Sequence, residues 1–241
     1  MTYGNQNQSN KKLYWVKDNL LSNSFPEVSQ SLREPDGLLA IGGELTESRL
    51  LEAYQKGIFP WFNAGQPILW WSPDPRCILE PNQINVSRSL GKKLKQNLYQ
   101  VSFNKCFQRV IENCAAPRKI INETWITNEM KLAYIGLHQS GYAHSVETWF
   151  EGELIGGLYG IALGKVFFGE SMFSRKTDAS KIALVSLTEQ LANKGFKLID
   201  CQVHSPHLQS LGAKPIQREH FTQYLHAYCT LKKTTDWQHN G

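Results

Sequence analysis

The sequence predicts an α+β fold built on a mixed sheet, and three observations predict it. Residues 143–174 read as three consecutive strands, "AHSVETWF", "ELIGGLYGIAL" and "KVFFGESMF", parted by turns at Glu151-Gly152 and Gly164-Lys165. Connections that short join antiparallel neighbours, so the three form a meander. A helical pattern, "DASKIALVSLTEQLANKG", then leads to a further strand, "KLIDCQV". A strand–helix–strand unit implies one parallel pairing with a right-handed crossover. Finally, residues 13–74 are dense in Gly, Pro and Trp. They are expected to form a small N-terminal domain (residues 1–74 with a disordered polar tail) ahead of a larger domain at 75–241.

The remaining elements follow in chain order. Thr46 is placed to cap a helix over "ESRLLEAYQK", with Gly57 ending it. "GIFPWFNAGQPILWWSPDPR" is loop-like and carries Trp61, Trp70 and Trp71. Packing accounts for most such tryptophans, but a loop Trp can also offer its face to a base. "SRSLGKKLKQ" sets Arg88, Lys92, Lys93 and Lys95 on a helix with Leu90 and Leu94 on its inner face. "NKCFQRVIENCA" places Phe107, Val110, Ile111 and Cys114 at helical spacing, with Asn104 as its candidate cap. "TNEMKLAYIGLHQSG" repeats the pattern with Met130, Ala133, Tyr134 and Leu137, and Gly141 ends it. Both stripes read as core. After the crossover, Ile182, Val185 and Leu191 form the apolar stripe of the helix that Gly195 ends, and "EHFTQYLHAYC" is the last helix.

Composition narrows the function classes. The 241 residues carry a formal charge of +5, a mild bias toward polyanionic partners. No apolar run approaches the roughly 20 residues of a membrane helix. The start, "MTYGNQNQSNKK", lacks the apolar core of a secretory signal and reads as a tail, as does "KKTTDWQHNG" at the other end. Five scattered cysteines without a C-x-x-C pair indicate reduced thiols in a cytoplasmic protein. His204 and His207 lack further ligands at matching spacing, so no metal is expected.

Three features carry chemistry. In "KLIDCQV", Leu198, Asp200 and Gln202 share one strand face, while Ile199, Cys201 and Val203 share the other, which looks like the core side. "FFGESMFS" sets Glu170 after an aromatic run. The three glycines of "LIGGLYG" ask for a bulge or a close approach of ligand to backbone. The topology brings Asp200, Gln202 and Glu170 near one edge of adjacent strands. This order of elements resembles the GCN5-related N-acetyltransferase fold, whose strands splay around the acyl donor.

Over about residues 25–225 a more specific resemblance appears. "REPDGLLAIGGEL", "AYQKGIFPWF", "WWSPDPR", "SRSL", "TWIT", "GGLYG", "GESMFS", "DCQV" and "SLGA" occur in the order found in leucyl/phenylalanyl-tRNA–protein transferases. The resemblance implies a small N-terminal domain joined to an acetyltransferase-like domain, with no cofactor and no metal. It implies transfer of Leu or Phe, with some Met, from aminoacyl-tRNA to proteins with N-terminal Lys or Arg, which marks them for N-degron degradation.

Roles follow residue by residue from that resemblance. Trp61 and Trp125 match tryptophans that hold the tRNA 3′-adenosine. Arg88, Lys92 and Lys95 match basic positions on the acceptor-stem phosphates. Leu158, Phe167, Glu170, Leu184, Leu187 and Leu191 match the aminoacyl pocket, where Gly156 and Gly157 are expected to bring backbone close to the substrate Cβ. Asp200 and Gln202 match the catalytic pair, which deprotonates or positions the acceptor amine. Ser205 stands where the family often has Asn. Two rival readings fit less of the chain. An acetyl-CoA enzyme needs a Gly-rich turn opening the crossover helix, and "SRKTDASKIAL" has none. An RNA-binding module leaves Asp200, Gln202 and Glu170 unexplained.

Overall fold

The computed structural model describes residues 13–18, 25–116, 124–233 and Trp237. The polar segment 1–12 lies outside these residues, so the expected N-terminal tail does too. The first part of the chain forms a four-stranded sheet from β1 (Tyr14–Val16), β2 (Leu38–Gly42), β3 (Phe59–Pro60) and β4 (Leu69–Trp71), in the order β1-β2-β4-β3. Between β2 and β3 lies α1 (Glu47–Gln55), where the Thr46 hydroxyl accepts from the Arg49 N–H. The helix ends at Gly57, whose φ of +76° suits glycine.

The rest builds a seven-stranded sheet. Its elements are β5 (Arg76–Leu79), α2 (Arg88–Lys95), β6 (Gln100–Phe103), α3 (Phe107–Ala115), α4 (Asn128–Gln139), β7 (Ala143–Phe150), β8 (Glu153–Leu163), β9 (Val166–Ser174), α5 (Ala179–Asn193), β10 (Leu198–Gln202), α6 (Pro206–Ser210), β11 (Lys214–Ile216) and α7 (Arg218–Tyr228). The strand order is β11-β5-β10-β9-β8-β7-β6. The expected meander is β7-β8-β9, and β9 and β10 are the parallel pair across the α5 crossover. Each face of this sheet has its own apolar cluster. One gathers β8, β9 and β10 residues with α1, α3, α4, α7 and the four-stranded sheet. The other packs α5 and Leu90 of α2 against the opposite face.

Four local expectations need correction. Asn104 does not cap α3: it takes a φ of 57°, and its side chain accepts from the Ser145 N–H. The α3 N-cap, Cys106, makes no side-chain cap bond, and the buried Glu147 carboxylate accepts from the N–H groups of Lys105 and Cys106 just ahead of the helix. The C-terminal stretch is not wholly a tail, because Trp237 is buried and stacks on His144 with ring centroids 3.9 Å apart. Strand β10 is covered on both faces, and Val203, beyond its end, is exposed. The glycines of β8 serve packing. A Cβ on Gly156 would lie 2.5 Å from that of Ala179, and one on Gly157 would lie 2.6 Å from the Val146 carbonyl.

Gly160 sits at a β8/β9 irregularity, where a Cβ would come within 2.2 Å of the Phe168 carbonyl and 2.5 Å of the Phe167 ring. Neither neighbour can yield, since both are fully buried. Gly160→Ala is expected to cost about 2–3 kcal/mol, read as a lower midpoint in urea unfolding with an unchanged slope. A stability within 0.5 kcal/mol (about the scatter of a neutral surface change) would mean that β8 shifts freely.

Candidate active site

The parallel pairing of β10 with β9 covers Leu198↔Val166, Ile199↔Phe167 and Asp200↔Phe168. Beyond it the strands part. Residues of both, with α5, line a cavity of about 800 Å³. Leu158, Phe167, Met172, Leu184, Leu187 and Ile199 supply its apolar wall, and Glu170, Gln202, Asn113, Arg175 and His207 are among its polar lining.

Most of the residues singled out in the sequence meet here. Leu158, Phe167, Glu170, Leu184, Leu187, Gln202 and Trp125 line the cavity. Leu191 is fully buried behind it in the α5 cluster and is not part of the lining. Gly156 and Gly157 do not line it either, because α5 and β7 fill the space at their backbones. Ser205 lines the cavity, and its hydroxyl caps α6 by accepting from the Leu208 N–H. Trp61 lies outside the lining, 45% exposed, with its ring 5.9 Å from that of Trp71. Arg88, Lys92 and Lys95 are exposed on α2 and form no ion pair among the described residues. Their neighbour Lys93 binds Asp178 at 2.5 Å, which sets α2 beside the N-terminus of the cavity-lining α5.

Asp200 is not in the cavity wall. It is fully buried, on the sheet face turned toward the N-terminal elements, in a two-point ion pair with Arg76. Arg76 Nε donates to Oδ1 at 2.8 Å and Nη2 to Oδ2 at 2.6 Å, while Nη1 donates to the Gly57 carbonyl at 3.0 Å. The guanidinium lies 4.8 Å from the Phe59 ring centroid and 4.6 Å from that of Phe221. Planar stacking and a rigid donor fork are what arginine offers and lysine does not. Removing either charge strands the other in the interior, at about 3–5 kcal/mol. Oδ1 also accepts from the Gln202 N–H at 2.9 Å. That bond sits at a bulge where Gln202 takes a φ of +61°, a conformation that non-glycine residues adopt only when their surroundings hold them.

Glu170 is the carboxylate that reaches the cavity. Its Oε1 accepts from Tyr54 Oη at 2.7 Å and from Gln202 Nε2 at 3.0 Å, and its Oε2 accepts from Tyr134 Oη at 2.9 Å. The two hydroxyl oxygens are themselves only 2.6 Å apart. Three oxygen–oxygen contacts close this ring, yet two tyrosines bring only two protons. A third proton, on Glu170, gives every contact a donor once the carboxyl donates to one tyrosine and that tyrosine to the other. Burial points the same way: desolvation, opposed by the Tyr54 and Tyr134 hydroxyls and aided by the charge of Asp200, pushes the Glu170 carboxyl up to about 7. Burial, reinforced by Glu170, likewise raises both tyrosines and keeps them protonated.

Arg76, Tyr54 and Tyr134 escaped the sequence reading as site residues. Arg76 closes "WWSPDPR", a cation at the end of a tryptophan-rich loop, and that was the available signal. The tyrosines sit on apolar helical stripes where nothing local distinguishes them from core.

Residues 78–226 match the family model described as leucyl/phenylalanyl-tRNA protein transferase, and residues 43–74 match its N-terminal domain. A leucyl/phenylalanyl-tRNA–protein transferase of Pseudomonas syringae pv. tomato is 56% identical over 213 residues, covering 88% of this chain and 92% of its own. One from Nitrosomonas europaea is 59% identical over 201 residues, covering 83% and 85%. Among solved structures, L-PGS from Bacillus licheniformis has a TM-score of 0.38 at 12% identity, covering 70% of this chain and 54% of its own. A GCN5-related N-acetyltransferase from Kribbella flavida has a TM-score of 0.33 at 11% identity, covering 73% and 63%. The chain is an aminoacyltransferase. It belongs to the leucyl/phenylalanyl-tRNA–protein transferase family.

The raised Glu170 carboxyl carries a linkage. The folded protein holds this proton to about pH 7, while an unfolded carboxyl releases it near 4.3. The stabilisation is complete below the unfolded value and is lost as pH rises through about 7. Glu170→Gln, which keeps the shape without the titration, should therefore gain on the wild type between pH 5 and 8, by up to about 3 kcal/mol. Urea unfolding of both proteins at the two pH values measures the gap. A gap that stays constant would show that Glu170 titrates normally.

Proposed function

We propose that the chain transfers Leu or Phe, and also Met, from aminoacyl-tRNA to the N-terminal Lys or Arg of acceptor proteins in the cytoplasm, marking them for N-degron degradation. The observation that carries this reading is the largely apolar cavity of about 800 Å³ into which Glu170 and Gln202 bring polar groups. Leu158, Phe167, Leu184 and Leu187 would enclose the aminoacyl side chain, with Leu191 supporting them from behind. A pocket of this kind separates apolar side chains by only about 1–3 kcal/mol per methylene, which suits a preference that spans Leu, Phe and Met. Cavity-lining Trp125 and exposed Trp61 would hold the 3′-adenosine. Arg88, Lys92 and Lys95 would take acceptor-stem phosphates, which positions the RNA without reading its sequence. In this reading residues 1–74 are the N-terminal domain and 75–241 the catalytic one.

The reaction is aminolysis of an ester already activated by its tRNA. The acceptor nitrogen bonds to the ester carbonyl carbon, the bond from that carbon to the 3′ oxygen breaks, and the amine proton ends on the departing hydroxyl. Asp200 serves as a positioning group: both its oxygens are engaged by Arg76, and it does not reach the cavity. It holds Gln202, whose Nε2 donates to Glu170 and whose Oε1 is left to accept from the incoming amine. Glu170, with its carboxyl at about 7, is the group matched to take the proton of an amine whose ordinary pKa is about 7.7–8.0.

Labelled Leu from Leu-tRNA is expected to reach a peptide with N-terminal Arg, without coenzyme A. No transfer above an enzyme-free control, with tRNA binding intact, would favour an RNA-binding module, and transfer from acetyl-CoA would refute the assignment. With Glu170→Gln, kcat should fall at least about tenfold, and the rise in rate through pH 7 should flatten toward the amine's own titration. An unchanged profile would remove Glu170 from proton transfer. Replacing Lys92 and Lys95 together by Ala should weaken aminoacyl-tRNA binding and lower the slope of log affinity against log salt by about 1–2. A weaker complex with the original slope would place the phosphates elsewhere.

A further inference from the structure

We infer that Arg76 is a positioning residue for the transfer reaction, and that the α1–β3 turn sets its aim. Rather than merely neutralising a buried carboxylate, Arg76 acts through Asp200 on the backbone and side chain of Gln202. The inference rests on the role proposed above for Gln202.

The geometry leaves the Arg76 side chain no freedom. Each of its three nitrogens donates one hydrogen bond, two to Asp200 and one to the Gly57 carbonyl. Its faces are covered by Phe59 and Phe221, and none of it is exposed. Charge neutralisation alone needs none of this, since a lysine ammonium would supply it. What the fork adds is orientation. Both Asp200 oxygens are fixed in one plane, and Oδ1 is shared between Arg76 Nε and the Gln202 N–H. That N–H is the bond that holds Gln202 in its left-handed conformation, and the conformation directs Nε2 to Glu170 at 3.0 Å. A rotation of the Asp200 carboxylate therefore reaches the cavity floor two bonds later, although neither Arg76 nor Asp200 touches the cavity.

The source of the aim lies in the N-terminal part of the chain. Phe59 opens β3, Gly57 lies two residues before it, and Tyr54, three residues before Gly57, bonds Glu170 directly. One short stretch thus braces both carboxylates. Gly57 is packed against Phe221 and Leu225 of α7, where a Cβ would lie 2.9 and 3.0 Å away, so its carbonyl has a fixed place from which to hold the guanidinium. The same stretch runs on into Trp61.

Arg76→Lys keeps the charge and discards the fork. It is expected to lower kcat at least about tenfold while KM for Leu-tRNA changes less than about twofold, because orientation and not substrate binding is lost. Circular dichroism melting confirms that the variant is folded in the assay. Should Arg76→Lys fail to fold, Phe59→Leu removes one face of the sandwich without altering any charge, and the same split between kcat and KM is expected, at about three- to tenfold. A wild-type kcat in the folded variant would overturn the inference while leaving the transfer reading intact. So would losses of kcat and of tRNA affinity in equal measure, the mark of general destabilisation. A wild-type protein that transfers no Leu would overturn both.

Discussion

A charged pair sealed beneath the α1–β3 turn and α7 is the constraint on which the other features hang. Arg76 and Asp200 lie on neighbouring antiparallel strands, β5 and β10, yet the third donor of Arg76 goes to the α1–β3 turn. An ion pair in that position adds little net stability over a well-packed apolar substitute, because both ions are desolvated. What it adds is uniqueness. A carboxylate with two oxygens and an arginine with a rigid fork permit one register of β10 against β5, and that register carries the bulge at Gln202. Apolar residues in the same place would tolerate a slide.

The parting of β9 and β10 converts this register into a site. Where the parallel ladder ends, at Asp200 and Phe168, backbone groups lose their partners and side chains from two strands and α5 face a common space. The apolar wall follows from the sheet's alternation: Phe167 and Ile199 point to the α5 face, whereas Leu198 and Phe168 point to the other. Glu170 stands where that wall would otherwise close. Its partners are two tyrosines from different helices, so α1 and α4 must both be docked before the ring of hydroxyls exists. Folding and assembly of the site are therefore the same event.

Much of the frame was legible in the sequence, because it is set by local patterns. Glu151-Gly152 and Gly164-Lys165 announce the meander turns, Thr46 accepts the helix-opening bond expected of it, and the crossover follows from the sequence order of β9, α5 and β10. The cavity residues were legible through the resemblance of "GGLYG", "GESMFS" and "DCQV". The Arg76–Asp200 contact was not, since it spans 124 positions and has no period. Strand alternation assigned Asp200 a face but could not say what covers that face. Tyr54 and Tyr134 stayed hidden for a related reason: apolar periodicity counts the ring and is blind to the hydroxyl. Trp237 was misread because its neighbours are polar, while its place is decided by an aromatic slot beside His144 and Phe167.

The closed ring around Glu170 has a consequence for any small molecule meant to occupy the cavity. Below about pH 7, where Glu170 holds its proton, the three oxygen contacts have their three donors, so a visiting ammonium finds a neutral acid and must displace a proton to gain a counter-ion. A primary carboxamide or a hydroxyl meets no such demand, since it both gives and takes a hydrogen bond. In that range, ligands with an uncharged polar head and an apolar tail thus match this cavity better than cationic ones. The heat of binding of a cationic ligand would vary with the ionisation enthalpy of the buffer that receives the displaced proton.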